Sequence, residues 1–293
     1  MRILLFLATN FAVIMLISVV FSILGLDGIQ TANGSLDLTA LLVMSAVIGF
    51  GGSFISLAMS KWSAKRSMNV RLIEQPSNAT EQWLVQTVSR QAQQAGIQMP
   101  EVGIFPSNSV NAFATGMNRN AALVAVSSGL LNQMTQDEAE AVLGHEVSHV
   151  ASGDMVTMGL MQGVVNTFVV FLSRIVGFFV DRVILKNDRG LGIGYFISSM
   201  VAQVFLSIFA SMIVMWFSRY REFRADEGGA KLAGKHKMIA ALKRLQNQQE
   251  VDMPGELVAF GISPSTKGVF TKLLLSHPPL EQRIAALENS HQV

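Results

Sequence analysis

The chain has 293 residues, of which 50% are hydrophobic and 14% charged, with a net charge of +2 and a mean hydropathy of +0.41. Globular domains carry about 25% charged residues, so this chain has roughly half the usual supply for a solvated surface. The apolar content excludes a disordered chain, the absence of cysteine excludes a disulfide scaffold, and +2 is too small a charge to point to nucleic acid. An integral membrane protein with a folded polar portion remains.

The apolar residues are concentrated in blocks. Positions 3–26 and 38–60 are free of charge, 24 and 23 residues long, and about 20 apolar residues carry a helix across a bilayer. The first block is too long for the apolar part of a cleaved leader, and no small-x-small site follows Leu26. The 27–37 connection holds Asp27 and Asp37 and no base, whereas Lys61, Lys65, Arg66 and Arg71 follow the second block. The positive-inside rule therefore places residues from 61 onward in the cytoplasm.

Between 61 and 154 the pattern turns polar. Residues 79–95 read as an amphipathic helix entered through Ser77 and Asn78 and stopped at Gly96. Residues 102–105, 110–116 and 122–127 read as short strands, the last two joined by a turn at Asn118-Arg119-Asn120. Thr135 to Glu138 forms a capping box, so a helix is expected over 136–152 with Gly153 as its stop.

On that helix lies His145-Glu146-Val147-Ser148-His149. Histidines four apart share one helix face, so both imidazoles can reach one ion. Zn²⁺ takes two imidazoles and a carboxylate and keeps a fourth position for water. Glu146, beside the first ligand, is then placed to accept the proton of that water.

A second pair of apolar blocks follows. Met155–Ser173 is free of charge for 19 residues and Gly190–Ser218 for 29. Arg174 interrupts the former, a charge that either lies within the membrane or snorkels to an interface; the second is preferred. Both blocks are long enough to span, but Arg182, Lys186 and Arg189 in their connection would oppose an external loop. The sequence leaves two full spans and an interfacial pair open.

The third metal ligand must come from elsewhere. Glu222 and Asp226 share a helix face directly after the last apolar block. Either one binds the ion while the other accepts a ligand histidine's free N–H, or both pair with Arg219, Arg221 and Arg224 on an exposed surface. Spacing alone favours the ion pairs. His236 reads as a surface residue and His291 as part of a frayed terminus.

Taken together, HEVSH at 145–149, the EFRAD stretch from Glu222, NAFATG at 111–116 and HPPLEQRI at 277–284 resemble the HtpX family of membrane zinc metalloproteases, relatives of the CAAX prenyl endopeptidases. The resemblance covers essentially the whole chain. It implies a mostly α membrane protein with a zincin-like α+β domain containing a small sheet. Spans would fill 1–60 and 155–218, and the catalytic domain 61–154 and 219–293. One zinc ion would be held by His145, His149 and Glu222, with Glu146 as the general base and Asp226 orienting a ligand histidine. His277 would steady the oxyanion, supported by Arg283, and Asn111 and Ala112 would align the substrate. The resemblance further implies a bacterial inner-membrane protease of the stress response. It would degrade misfolded or damaged membrane proteins in contact with lipid, without nucleic acid, and in association with other quality-control proteases.

Two other classes compete. A transporter would explain the apolar blocks but has no need of HEVSH on a polar capped helix. A zinc-binding scaffold would have no need of Glu146.

Overall fold

The computed structural model describes residues 36–187, 190–251 and 277–290. The expected first span at 3–26, together with Arg189 and His291, lies outside them. The described chain is mostly helical, with one small mixed sheet. It divides into two compact units, one holding residues up to 56 with 158–215, the other 57–157 with 216 onward.

Among the described residues the first unit is built from three helices, α1 (Leu38–Ser67), α5 (Asp154–Phe179) and α6 (Ile193–Ala233), each of which runs on past its borders. Each is long and apolar enough to cross a membrane. Leu41, Met44 and Ile48 of α1 pack with Val170 and Tyr195, and Val165 and Val169 of α5 with Ala210 and Val214 of α6. Gly49 lets α1 approach α5 closely, since a Cβ there would lie 2.6 Å from the Thr167 nitrogen. The α5 helix ends in a π turn, Val180–Ile184. Buried Asp181 accepts hydrogen bonds there from Asn187 Nδ2 at 2.9 Å and the Gly192 N–H at 3.0 Å, closing the connection into α6. Arg174 lays its guanidinium 5.8 Å from the centre of the buried Tyr195 ring, a cation–π contact.

The second unit holds a four-stranded sheet in the order β1 (Arg71–Leu72), β2 (Glu101–Phe105), β4 (Leu123–Ser127), β3 (Ala112–Thr115). β2 and β4 run parallel, with Val102 opposite Val124, and β3 pairs antiparallel with β4, with Phe113 opposite Ala125. Every residue of β4 is buried. Val124 and Val126 face one core and Leu123 and Ala125 another. A strand covered on both faces reads as a continuous apolar run, as 122–126 does.

The first of these cores joins the sheet to α2 (Ala79–Gln94) and α4 (Gln136–Ala151) through Leu84, Val88, Leu143, Val147 and Val150. α2 is capped by Asn78, whose side chain accepts from Glu81 N–H, and Gly96 follows it with φ +68°. The Thr135–Glu138 capping box starts α4, and Gly153, with φ +67°, follows its end. A short helix, α3 (Ser128–Gln133), joins β4 to α4. On the other side of α4, Ala141 and Ala230 pack with Met238, Ala241 and Leu242 of α7 (Lys235–Val251) and Ile284 and Leu287 of α8 (Leu280–Asn289).

Candidate metal centre and peptide-binding edge

α4 and α6 cross with their backbones almost in contact. A Cβ on Gly229 would lie 2.9 Å from His145 N and 3.1 Å from His145 Cα, and one on Gly228 would lie 2.7 Å from Ser148 Cβ. On a helix, Glu222, Asp226 and Gly229 share one face. The close crossing at Gly229 therefore turns Glu222 and Asp226 toward the α4 histidines. Both acids are buried, Glu222 at 2% and Asp226 at 1% exposure. The ion pairs with Arg219, Arg221 and Arg224 favoured by spacing are thus replaced by contacts inside the unit.

His145 Nε2 and His149 Nε2 lie 3.1 Å apart. Glu222 Oε2 is 3.6 Å from the former and its Oε1 3.4 Å from the latter. Behind them, His145 Nδ1 is 2.9 Å from Asp226 Oδ1 and His149 Nδ1 is 2.7 Å from Asp154 Oδ2. Each carboxylate is placed to accept an Nδ1–H, which turns both Nε2 atoms toward each other and toward Glu222. Two ring nitrogens and a carboxylate oxygen so placed require a proton or a metal ion between them. A tetrahedral zinc ion spaces its ligand atoms about 3.3 Å apart, given bonds of about 2.0–2.1 Å. The observed separations bracket that value, and two imidazoles with one carboxylate are a zinc donor set. These three residues form a cluster able to hold a metal ion.

The electrostatics agree. Burial disfavours a charged imidazole, yet hydrogen bonds to Asp154 and Glu222 overcome it at His149 and raise its pKa to about 10. His145 is raised in the same way, against burial, by Asp226 and Glu222. The pocket between these carboxylates strongly favours positive charge.

A second layer braces the first. Arg283 of α8 grips Asp226 with both Nε and Nη2, at 2.7 and 2.6 Å, and its Nη1 lies 3.4 Å from Glu222 Oε2. Arg221 donates to the Asp154 carbonyl at 3.0 Å and stands 3.4 Å from its carboxylate. Asp154 and Arg221 have no place in the sequence reading as supports of the centre. A carboxylate placed at the first residue of a new helix gives no spacing signal toward a histidine five positions earlier on another.

Glu146 is half-buried on α4, and its charge is felt by His149 and Arg283. His277, on the exposed rim, places Nδ1 2.7 Å from Glu222 Oε2. β3 is an edge of the sheet, and among the described residues no strand pairs with its outer side. Asn111, just before β3, is locked to Ser127 by two hydrogen bonds, Asn111 N to Ser127 Oγ at 3.0 Å and Ser127 N to Asn111 O at 2.8 Å. Ala112 opens the strand opposite Val126.

Comparison with known proteins agrees with this arrangement. The model of peptidase family M48 matches residues 78–291. The protease HtpX of Pseudoalteromonas atlantica is 65% identical over 98% of this chain and 99% of its own length. The HtpX homolog of Thiobacillus denitrificans is 61% identical over 98% of each, and the protease HtpX of Pseudomonas putida strain F1 is 58% identical over 98% of each. Among solved structures, that of S. mikatae Ste24p superposes with a TM-score of 0.62 at 19% identity, a likeness of fold that covers 84% of this chain. The chain spans 58% of that structure's length. Its motif, the three apolar helices among its described residues and a family match running from α2 past α8 place the chain in peptidase family M48, as a membrane metallopeptidase.

Proposed function

We propose that the chain is a zinc endopeptidase that cleaves misfolded or damaged membrane proteins, with His145, His149 and Glu222 holding the ion and Glu146 as the general base. The observation that carries this is the convergence of three ligand atoms within 4.8 Å of one another, with the two histidines oriented by Asp226 and Asp154. A zinc ion bound there polarises the scissile carbonyl and makes water acidic at neutral pH.

The chain's own residues supply the rest. Glu146 removes the proton of the attacking water and returns it to the leaving amide nitrogen. His277, its Nδ1 engaged with Glu222, offers the other ring nitrogen to the developing oxyanion. Asn111 and Ala112 lead into the edge strand, whose free side takes an extended peptide as a further strand. Arg283 keeps Asp226 in place against His145. The basic residues after α1's apolar stretch, Lys61, Lys65 and Arg66, support a cytoplasmic site on a bacterial inner membrane.

The test is Glu146→Gln in the purified full chain. Zinc content measured by elemental analysis stays near that of the wild type, while cleavage of an unfolded protein such as casein is lost. Wild-type rates in the variant would overturn the assignment of Glu146. Wild-type cleavage that persists after chelation would overturn the zinc mechanism itself.

A further inference from the structure

The exposed apolar side chains of α6 form one stripe, running from Ile193 through Phe205 and Phe209 to Trp216 and Tyr220. Beyond Tyr220 that helix exposes no large apolar residue. On α1 the corresponding stripe ends at Trp62, 61% exposed. Tryptophan and tyrosine settle where lipid meets water, because their rings are apolar and their N–H or O–H is wet. Trp62, Trp216 and Tyr220 all belong to the same compact unit as the zinc ligands.

The catalytic residues begin where this belt ends. Glu222 is two residues beyond Tyr220 and six beyond Trp216 on one continuous helix, which is roughly 3 and 9 Å along its axis. Asp154, which orients His149, is followed immediately by the apolar block that opens at Met155. Two supports of the zinc site, on two different helices, thus stand within about two turns of the apolar layer.

The peptide-binding edge leads to the same place. β3 ends at Thr115, and the chain turns through Gly116 into a cleft of about 550 Å³ lined by Met117, Asn118, Arg119, Ala121, Gly153 and Val156. Val156 is the second residue of that apolar block. A peptide lying along β3 and running on past Met117 therefore points toward the helix start that enters the lipid.

Resting on the endopeptidase reading above, we propose that the enzyme measures its cleavage point from the bilayer. Its substrates are juxtamembrane segments, unfolded enough to lie extended on β3, and the bond cut lies close to the end of the substrate's own membrane helix. At about 3.3 Å per extended residue, a site 3–9 Å above the interface is reached in one to three residues. Crossing laterally from one helix to the site adds a similar number. The cut is therefore expected within roughly the first six residues outside the substrate's span.

The full chain, reconstituted with Zn²⁺ in vesicles of phosphatidylethanolamine and phosphatidylglycerol, tests this. The substrate is a single membrane-spanning helix with a long unstructured tail made of one short repeated cassette, so that sequence preference is the same at every distance. The tail follows the helix in one version and precedes it in the other, and cut positions are read by mass spectrometry. Cuts confined to the helix-proximal cassettes in either version, with positions unchanged when further cassettes are added distally, support the proposal. Cuts spread evenly along both tails, or clustered at their free ends, overturn it while leaving the peptidase reading intact. No cleavage of either substrate, or of the tail as a free peptide, overturns the peptidase reading and this proposal with it.

Discussion

His149 Nδ1 lies 2.7 Å from Asp154 Oδ2, and Asp154 is also the residue at which α5 begins. One carboxylate thus pairs with a histidine of the candidate metal centre and starts the apolar helix α5. Removing its charge is expected to hurt the metal site more than the fold. Outer partners of zinc histidines are worth about 10–100-fold in metal affinity, so Asp154→Asn should lose zinc about that much more readily in a competition titration with a chelator. Circular dichroism should remain that of the wild type. Unchanged zinc affinity in Asp154→Asn would show that the contact does not orient His149.

The paired arrangement at His145 predicts a different pattern, because Asp226 is held by Arg283 through two hydrogen bonds in a site where Arg283 is only 6% exposed. Breaking a buried pair by removing one partner costs about 3–5 kcal/mol, since the other charge stays buried. Arg283→Met should lower stability in detergent by that order. Arg283→Lys should recover little, because an ammonium cannot make the bidentate contact. Combining Arg283→Met with Asp226→Asn removes the uncompensated charge and should restore much of the stability without restoring cleavage. If the double variant is no more stable than Arg283→Met alone, the pair is not what holds α8 against the centre.

The close crossing of α4 and α6 can be tested directly. A Cβ on Gly229 would press on the His145 backbone at 2.9 and 3.1 Å, and backbone cannot swing aside as a side-chain tip can. Gly229→Ala should therefore push the two helices apart by a few tenths of an ångström or more and displace Glu222 and Asp226 from the histidines. Activity should fall at least tenfold, given how strongly misplacement weakens positioned groups. Gly96, where a Cβ meets nothing within 4 Å but φ is +68°, serves as a control. Its alanine variant should cost some stability through backbone strain and leave cleavage per folded molecule unchanged. Equal activity in Gly229→Ala and wild type would remove the crossing from the explanation of the site.

How much of this was legible in the sequence depended on whether the signal was local. The capping box at Thr135 and Glu138, the stop at Gly153 and the cap at Asn78 are read from neighbours in the chain, and α4 and α2 form with those ends. The strands of 102–105, 110–116 and 122–127 are present, the middle one shorter, as Ala112–Thr115. β1, at two residues, is too short to show a period, and it exists because β2 offers it a partner. The direction faced by Glu222 and Asp226 depends on which helix lies opposite, which helical spacing cannot tell. Spacing alone favours arginine partners, and the glycine pair at 228–229 is the sign in the sequence that another backbone comes close. Asp154 was hidden for the same reason. Its partner lies across a helix break, and only the folded chain brings them to 2.7 Å.

Stability at acid pH offers a check remote from the candidate metal centre. Glu81, in the first turn of α2 and 3% exposed, accepts the Ser77 N–H and hydroxyl at 2.9 Å each and Arg71 Nη2 at 2.7 Å. The Ser77 backbone hydrogen bond, then Arg71, hold its pKa at about 2, against about 4.3 in an unfolded chain. A carboxyl with a lowered folded pKa stabilises the protein above its unfolded value, and that contribution disappears as the pH falls toward the folded one. The Glu81→Gln variant should therefore melt below the wild type at neutral pH. The gap should stay constant down to about pH 5 and close between about pH 4.3 and 2. Because both proteins share Asp154, Glu222 and Asp226, the titration of these carboxylates cancels in the difference. A gap that persists unchanged at pH 2 would mean that the Glu81 contacts stabilise through shape and hydrogen bonding that glutamine cannot copy, and not through the carboxylate charge.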